Sequence, residues 1–176
     1  MKKEIKIKNV LASLYDFSQQ VREKSRGLEK EMEKVRVLIQ RAFEIDLLSI
    51  FQYDYLTRKL VPLYLYGDPY NLVDAVNFRL GKGATAWCVQ HKKALLITNL
   101  KRSGVGNRFF VDSFLAVPII INDLFVGAIT MGGFQKDQYT EGDRFLLEII
   151  APFLGGIILK NEFAIKKEAA EITVKE

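Results

Sequence analysis

Apolar residues set the reading from the start of the chain. Val10, Leu14, Phe17 and Val21 recur at spacings of 4, 3 and 4, the rhythm of one helix face and of a short heptad seam. Gly27 interrupts, and a second stripe, Leu28, Met32, Val35, Ile39 and Phe43, continues among charged neighbours. Residues 46–53 then read as a strand, and residues 59–66 as its hairpin partner across a polar turn, with Pro62 marking an edge or a bulge. Gly67, Asp68 and Pro69 end that strand, and residues 70–77 carry no clear period. Residues 78–100 predict a strand, a glycine turn, a short helix and another strand; residues 114–133 predict a hairpin that returns through Asn122 and Asp123. Thr140 is the expected N-cap of a last helix, with Glu141 and Asp143 in its first turn, and that helix is expected to run past Leu159 with a kink at Pro152.

These elements add up to an α+β fold. The expected architecture is a central antiparallel sheet of about six strands, with the N- and C-terminal helices on one face and a lid of loops and a short helix on the other. Both alternating sets of residues 114–121 are apolar, which calls for cover on both sides of that strand. The second cover must come from residues 70–113, and a loop lid over a sheet is a common place for a small-molecule pocket. Three segments follow: an N-terminal helix over 1–26, a globular domain over 27–160, and a helical linker over 161–176. For the first helix, packing on its own domain and a dimer contact stand as equal alternatives.

Composition narrows the class. The 176 residues are 49% hydrophobic and 27% charged, which is globular composition for one domain. A single cysteine, Cys88, rules out an internal disulfide and fits a cytoplasmic setting. The apolar run 145–159 contains Glu148, Pro152 and two glycines and is shorter than the roughly 20 residues of a membrane span, so it reads as a buried or dimer-forming helix.

Charge is uneven. Between Ala75 and Val111 stand Arg79, Lys82, Lys92, Lys93, Lys101, Arg102 and Arg108 with no acid; this stretch is +7 in a chain of +5, leaving −2 elsewhere. No zinc-ligand spacing or aromatic RNA-binding signature accompanies the cations, which argues against nucleic acid as the partner. Arg102 and Arg108 flank a flexible Ser-Gly-Val-Gly-Asn loop, and guanidinium groups suit carboxylate or phosphate, so an anionic small molecule is the expected ligand. Phe78, Trp87 and Phe110 are candidate walls of its pocket. Ala128, Thr130 and Gly132 share one strand face and are all small, leaving room above the sheet, with the Thr130 hydroxyl as a candidate contact. Lys92, Lys93 and His91 read as surface residues, and Cys88 as a small buried one. No nucleophile with a base, metal cluster or paired acids stands out, so neither catalysis nor a metal or prosthetic group is expected.

Three stretches together, FRLGKGATAWCVQHKKALLITNL, SFLAVPIIINDLFVGAITMGGF and YTEGDRFLLEIIAPFLGGIIL, resemble a GAF domain over roughly residues 28–159. Within that family the chain is similar to the N-terminal regulatory domains of nitrogen-fixation-type sigma-54-dependent transcription activators. The resemblance implies a six-stranded sheet, a ligand pocket on its loop side, dimerisation through terminal helices and an output domain beyond Glu176. Several family chemistries are not carried over. Free methionine sulfoxide reductases need several cysteines; bilin binders place a cysteine beside a histidine, whereas Val89 and Gln90 separate Cys88 from His91; nitric-oxide sensors have a cysteine where Phe114 stands. Asn107, Arg108, Phe109 and Asp112 match the cyclic-nucleotide signature only in part. A nucleotide, a cyclic nucleotide or a dicarboxylate such as 2-oxoglutarate is the implied ligand class.

Overall fold

The computed structural model describes residues 2–22, 27–67, 84–99 and 111–173. In chain order the elements are α1 (Lys2–Arg22), α2 (Leu28–Ala42), β1 (Leu47–Asp54), β2 (Lys59–Tyr66), α3 (Ala84–His91), β3 (Leu95–Ile97), β4 (Ser113–Ile121), β5 (Leu124–Gly133) and α4 (Glu141–Thr173). The described strands form one antiparallel sheet in the order β2-β1-β5-β4-β3. Five strands are therefore seen against about six expected, and the start of the predicted 78–100 unit lies outside the described residues.

Local rules explain most of this frame. β4 and β5 meet at Asn122 and Asp123, whose positive φ values of 46° and 65° belong to the tight hairpin turn that matches strand twist. On the sheet edge, the pairing of β1 with β2 shifts register between Ile50 and Phe51, and Pro62 stands opposite Phe51, so the residue that cannot donate a ladder hydrogen bond sits at an irregularity. Thr140 caps α4: its Oγ1 accepts the Asp143 N–H at 3.3 Å, while the Asp143 carboxylate accepts the Thr140 N–H at 2.9 Å. α4 continues without a break through Pro152 and past residue 160.

The main core lies between the helices and one sheet face. There Leu48, Ile50, Leu115, Val117, Ile119, Ile129 and Met131 meet Met32, Val35 and Ile39 of α2 and Leu147, Ile150, Leu154 and Ile158 of α4. Gly155 lets α4 approach β4, because a Cβ there would lie 2.7 Å from the Ile121 side chain and 2.9 Å from that of Ile119. α1 belongs to the same core: Phe17 is fully buried and its ring stacks on Phe153 of α4 at 6.4 Å. Own-domain packing thus accounts for the inner face of α1, leaving Leu11 and Tyr15 exposed on its outer side. The helix begins at Lys2, eight residues before its apolar stripe, because Lys, Glu and Ile extend a helix once it is nucleated.

A polar contact inside this layer ties α2 to α4. Glu31, nearly fully buried, accepts from Lys160 Nζ at 2.8 Å and from Asn161 Nδ2, whose amide also donates to the Ile157 carbonyl at 2.9 Å.

Candidate functional site

The opposite face of the sheet is built from different residue types. Pairing brings Ser49 of β1 against Thr130 of β5, and Thr130 against Ala116 of β4, so two hydroxyls and a methyl form one row across the centre of the sheet. In the next rows Ala128 stands between Phe51 and Pro118, and Gly132 between Leu47 and Phe114. These short side chains form a low row between bulkier neighbours; Ala116, Ala128 and Thr130 are buried, and Leu47 and Val111 close over Gly132. Gly127, beside this row, has no room for a Cβ, which would meet the Phe51 carbonyl oxygen at 2.0 Å.

α3 is the described element over this face. Thr85, Cys88 and Val89 are buried, and Val89 packs with Phe125 and Ala128 of β5. Burial pushes the Cys88 thiol up to about 12, so it is protonated and a poor nucleophile at neutral pH. At the end of the face, α3 and the β4–β5 turn border a cleft of about 610 Å³ walled by Tyr53, Tyr55, Val89, Gln90, Lys92 and Phe125. Its aromatic wall is packed edge to face, with Tyr53 centred 4.9 Å from Tyr55 and 5.2 Å from Phe125. The Tyr55 hydroxyl donates to the Phe125 carbonyl at 2.6 Å. Among the described residues, no group of three His, Cys, Asp or Glu side chains gathers as a metal site requires.

Of the six residues singled out in the sequence, Thr130 lies in the floor, 7% exposed. Trp87 is 40% exposed and stacks on His91 at 4.4 Å, on the side of α3 turned away from its buried residues. The structure thus places Trp87 outside the floor that Thr130 occupies; the buried side of α3 is carried by Thr85, Cys88 and Val89 instead. Phe78, Arg102, Arg108 and Phe110 lie outside the described residues. Lys92 and Lys93 are exposed, and Lys92 also borders the cleft. Ser49 was not singled out in the sequence, since its role follows from pairing with a strand more than 80 residues away; the signal available was a lone hydroxyl inside the apolar run DLLSIF.

Comparison with known proteins agrees with the fold. A GAF-domain family model matches residues 37–158. The fold is similar to the GAF domain of a phosphoenolpyruvate-protein phosphotransferase from Acinetobacter, at 19% identity and a TM-score of 0.70, covering 90% of this chain and 97% of that one. The corresponding domain from Coxiella burnetii gives 19% identity and 0.68, covering 92% and 97%. A free methionine-R-sulfoxide reductase from Neisseria meningitidis, solved with its substrate, gives 14% and 0.70, covering 88% and 91%. No curated protein sequence matches the chain. With an antiparallel sheet helix-packed on one face, a small-residue floor on the other, and a family match across most of its length, the chain belongs to the GAF domain family.

Proposed function

We propose that this chain is a regulatory domain that binds a small anionic molecule above the Ser49–Thr130–Ala116 row and works as a homodimer through its terminal helices. The observation that carries the reading is the contrast between the two sheet faces: one filled by branched side chains meeting helices, the other floored by Ser49, Ala116, Ala128, Thr130 and Gly132. The anionic character rests on the +7 stretch between Ala75 and Val111 of the sequence, with Arg102 and Arg108 as the proposed contacts and a nucleotide, cyclic nucleotide or 2-oxoglutarate-like dicarboxylate as the ligand class. Phe78 and Phe110 are the proposed neighbouring walls, while Trp87, on the outer side of α3, is not among them. In this reading the domain sits in the cytoplasm, in a bacterial signalling or transcription-activating protein of the sigma-54-dependent kind, and reports occupancy to an output domain through α4. Thiol-based reductase chemistry is not part of it, because the single cysteine is buried and protonated.

A thermal-shift series over these ligand classes tests the proposal. Ligand at about 100 times its Kd stabilises the fold by about 2.7 kcal/mol, a rise of a few degrees in Tm. Thr130→Val is expected to weaken binding up to about tenfold through loss of one neutral hydrogen bond. Arg102→Ala and Arg108→Ala are expected to cost more, as charge-assisted contacts do. Unchanged affinity in the arginine variants would remove the anionic part. A Tm indifferent to every class favours the second reading, a ligand-free dimerisation module, for which the closely packed Tyr53, Tyr55 and Phe125 rings speak.

A further inference from the structure

The cleft between the end of α3 and the β4–β5 turn is separate from the row of short side chains. Phe125 and Thr130 stand about 15 Å apart along β5, with Val89 packed against Phe125 and Ala128 in between. Two departures from regular structure build the cleft. The β4–β5 register shifts after Ile119, which pairs with Gly127 while Ile120 pairs with Phe125, so Val126 is the extra residue of a bulge. Regular alternation would put Phe125 on the helix side of the sheet; the bulge sends Val126 there and turns Phe125 toward α3. β1 and β5 part after the Gln52–Gly127 pair, and the Tyr55 hydroxyl takes the Phe125 carbonyl where the strand ladder no longer reaches.

The rim is polar and unengaged. Gln90, Lys92 and Asp123 border the cleft, and among the described residues their side chains have no hydrogen-bond or ion-pair partner, each other included. Both charged residues hold a positive φ, 52° at Lys92 and 65° at Asp123. Lys92 follows the last residue of α3, where the Lys93 N–H reaches back to the Cys88 carbonyl at 3.3 Å, and glycine is the usual occupant of such a position. Asp123 fills the second central position of the hairpin turn, where glycine is also favoured. A cation and an anion therefore stand beside one aromatic cleft at two backbone positions that local stability would give to glycine.

We propose that this cleft binds a zwitterion with an aromatic side chain, a free amino acid or a dipeptide, at a site independent of the anionic ligand proposed above. The Lys92 ammonium takes the ligand carboxylate, the Asp123 carboxylate takes its ammonium, and the ligand's ring lies against Tyr53 and Phe125. A ligand of single charge would be drawn to one rim residue and repelled by the other, whereas one carrying both signs satisfies the two together. A volume of about 610 Å³ accommodates either ligand.

Isothermal titration calorimetry of the complete chain with L-phenylalanine and with phenylalanyl-alanine tests the site, and the tighter of the two sets the length of the ligand. N-acetyl-L-phenylalanine, which lacks the ammonium, and L-phenylalanine amide, which lacks the carboxylate, are each expected to bind at least about tenfold more weakly. Lys92→Gly and Asp123→Gly are each expected to weaken zwitterion binding at least about tenfold while Tm holds or rises, because glycine suits both backbone positions. Lost affinity with kept stability is what a ligand contact gives and a structural role does not. Lys93→Ala, at an exposed neighbour outside the cleft, is expected to keep affinity within about threefold. No heat of binding with either zwitterion at millimolar concentration would overturn the site. Binding that both glycine variants leave unchanged would place the ligand elsewhere and overturn it as well, and an N-acetyl ligand as tight as the free amino acid would overturn the role of Asp123.

Discussion

Glu31 shows how much can rest on one side chain. Its carboxylate is buried at the join of α2 and α4 and held by Lys160 and Asn161. Removing one partner of such a pair leaves the other charge poorly solvated, so Glu31→Ala is expected to cost about 3 kcal/mol in urea unfolding, whereas Glu31→Met combined with Lys160→Met should recover most of it. Cys88 carries a second expectation. Its thiol moves from 9.0 in the unfolded chain to about 12 when buried, and the folded state favours the protonated form. The contribution is complete below pH 9 and is lost as pH rises toward 12, because the unfolded chain releases the proton first. Tyr139, pushed up from 10.0 mainly by burial, adds to the same alkaline decline. Stability followed against pH should be flat near neutrality and fall above pH 9, and Cys88→Ala should lessen the first part of that fall. A decline of equal size in the variant would exclude the thiol as its source.

At the level of elements, caps and close contacts decide. Thr140→Ala removes the acceptor for the Asp143 N–H and the donor to its carboxylate, and is expected to destabilise by about 1 kcal/mol in thermal unfolding. Gly155→Val forces branched methyl groups against Ile119 and Ile121 and should cost at least about 2 kcal/mol or displace α4 from β4. The N-cap, the Asn122–Asp123 turn, the Pro62 irregularity and both helical stripes were legible in the sequence, because each depends on residues within one turn or one hairpin of each other. β3 was harder. It keeps only residues 95–97, and its end depends on pairing with β4, which no local pattern encodes. Nor does the second stripe, Leu28 to Phe43, announce that Glu31 within it would be buried, since a Glu in a helix is ordinarily solvent-facing.

For the whole molecule, the division of the sheet into a packed face and a small-residue face could be read in outline from two patterns: alternating apolar positions in β4 and small ones in β5. The complete floor could not, because Ser49 and Thr130 become neighbours only through a pairing that spans most of the domain. Trp87 lies away from the floor for a physical reason. Its helix has only eight residues and a weak apolar asymmetry, so which side faces the sheet is settled by tertiary contacts of Cys88 and Val89. At this scale the tie between Glu31 and α4 has a mechanical meaning. A screw motion of the last helix by one turn, about 5.4 Å along its axis, would pull Lys160 and Asn161 away from a carboxylate that water cannot reach. Tilting α2 and α4 together leaves those bonds intact, so in the function proposed above a change at the floor would travel outward as a swing of the paired helices, with the far end of α4 as a lever instead of a piston.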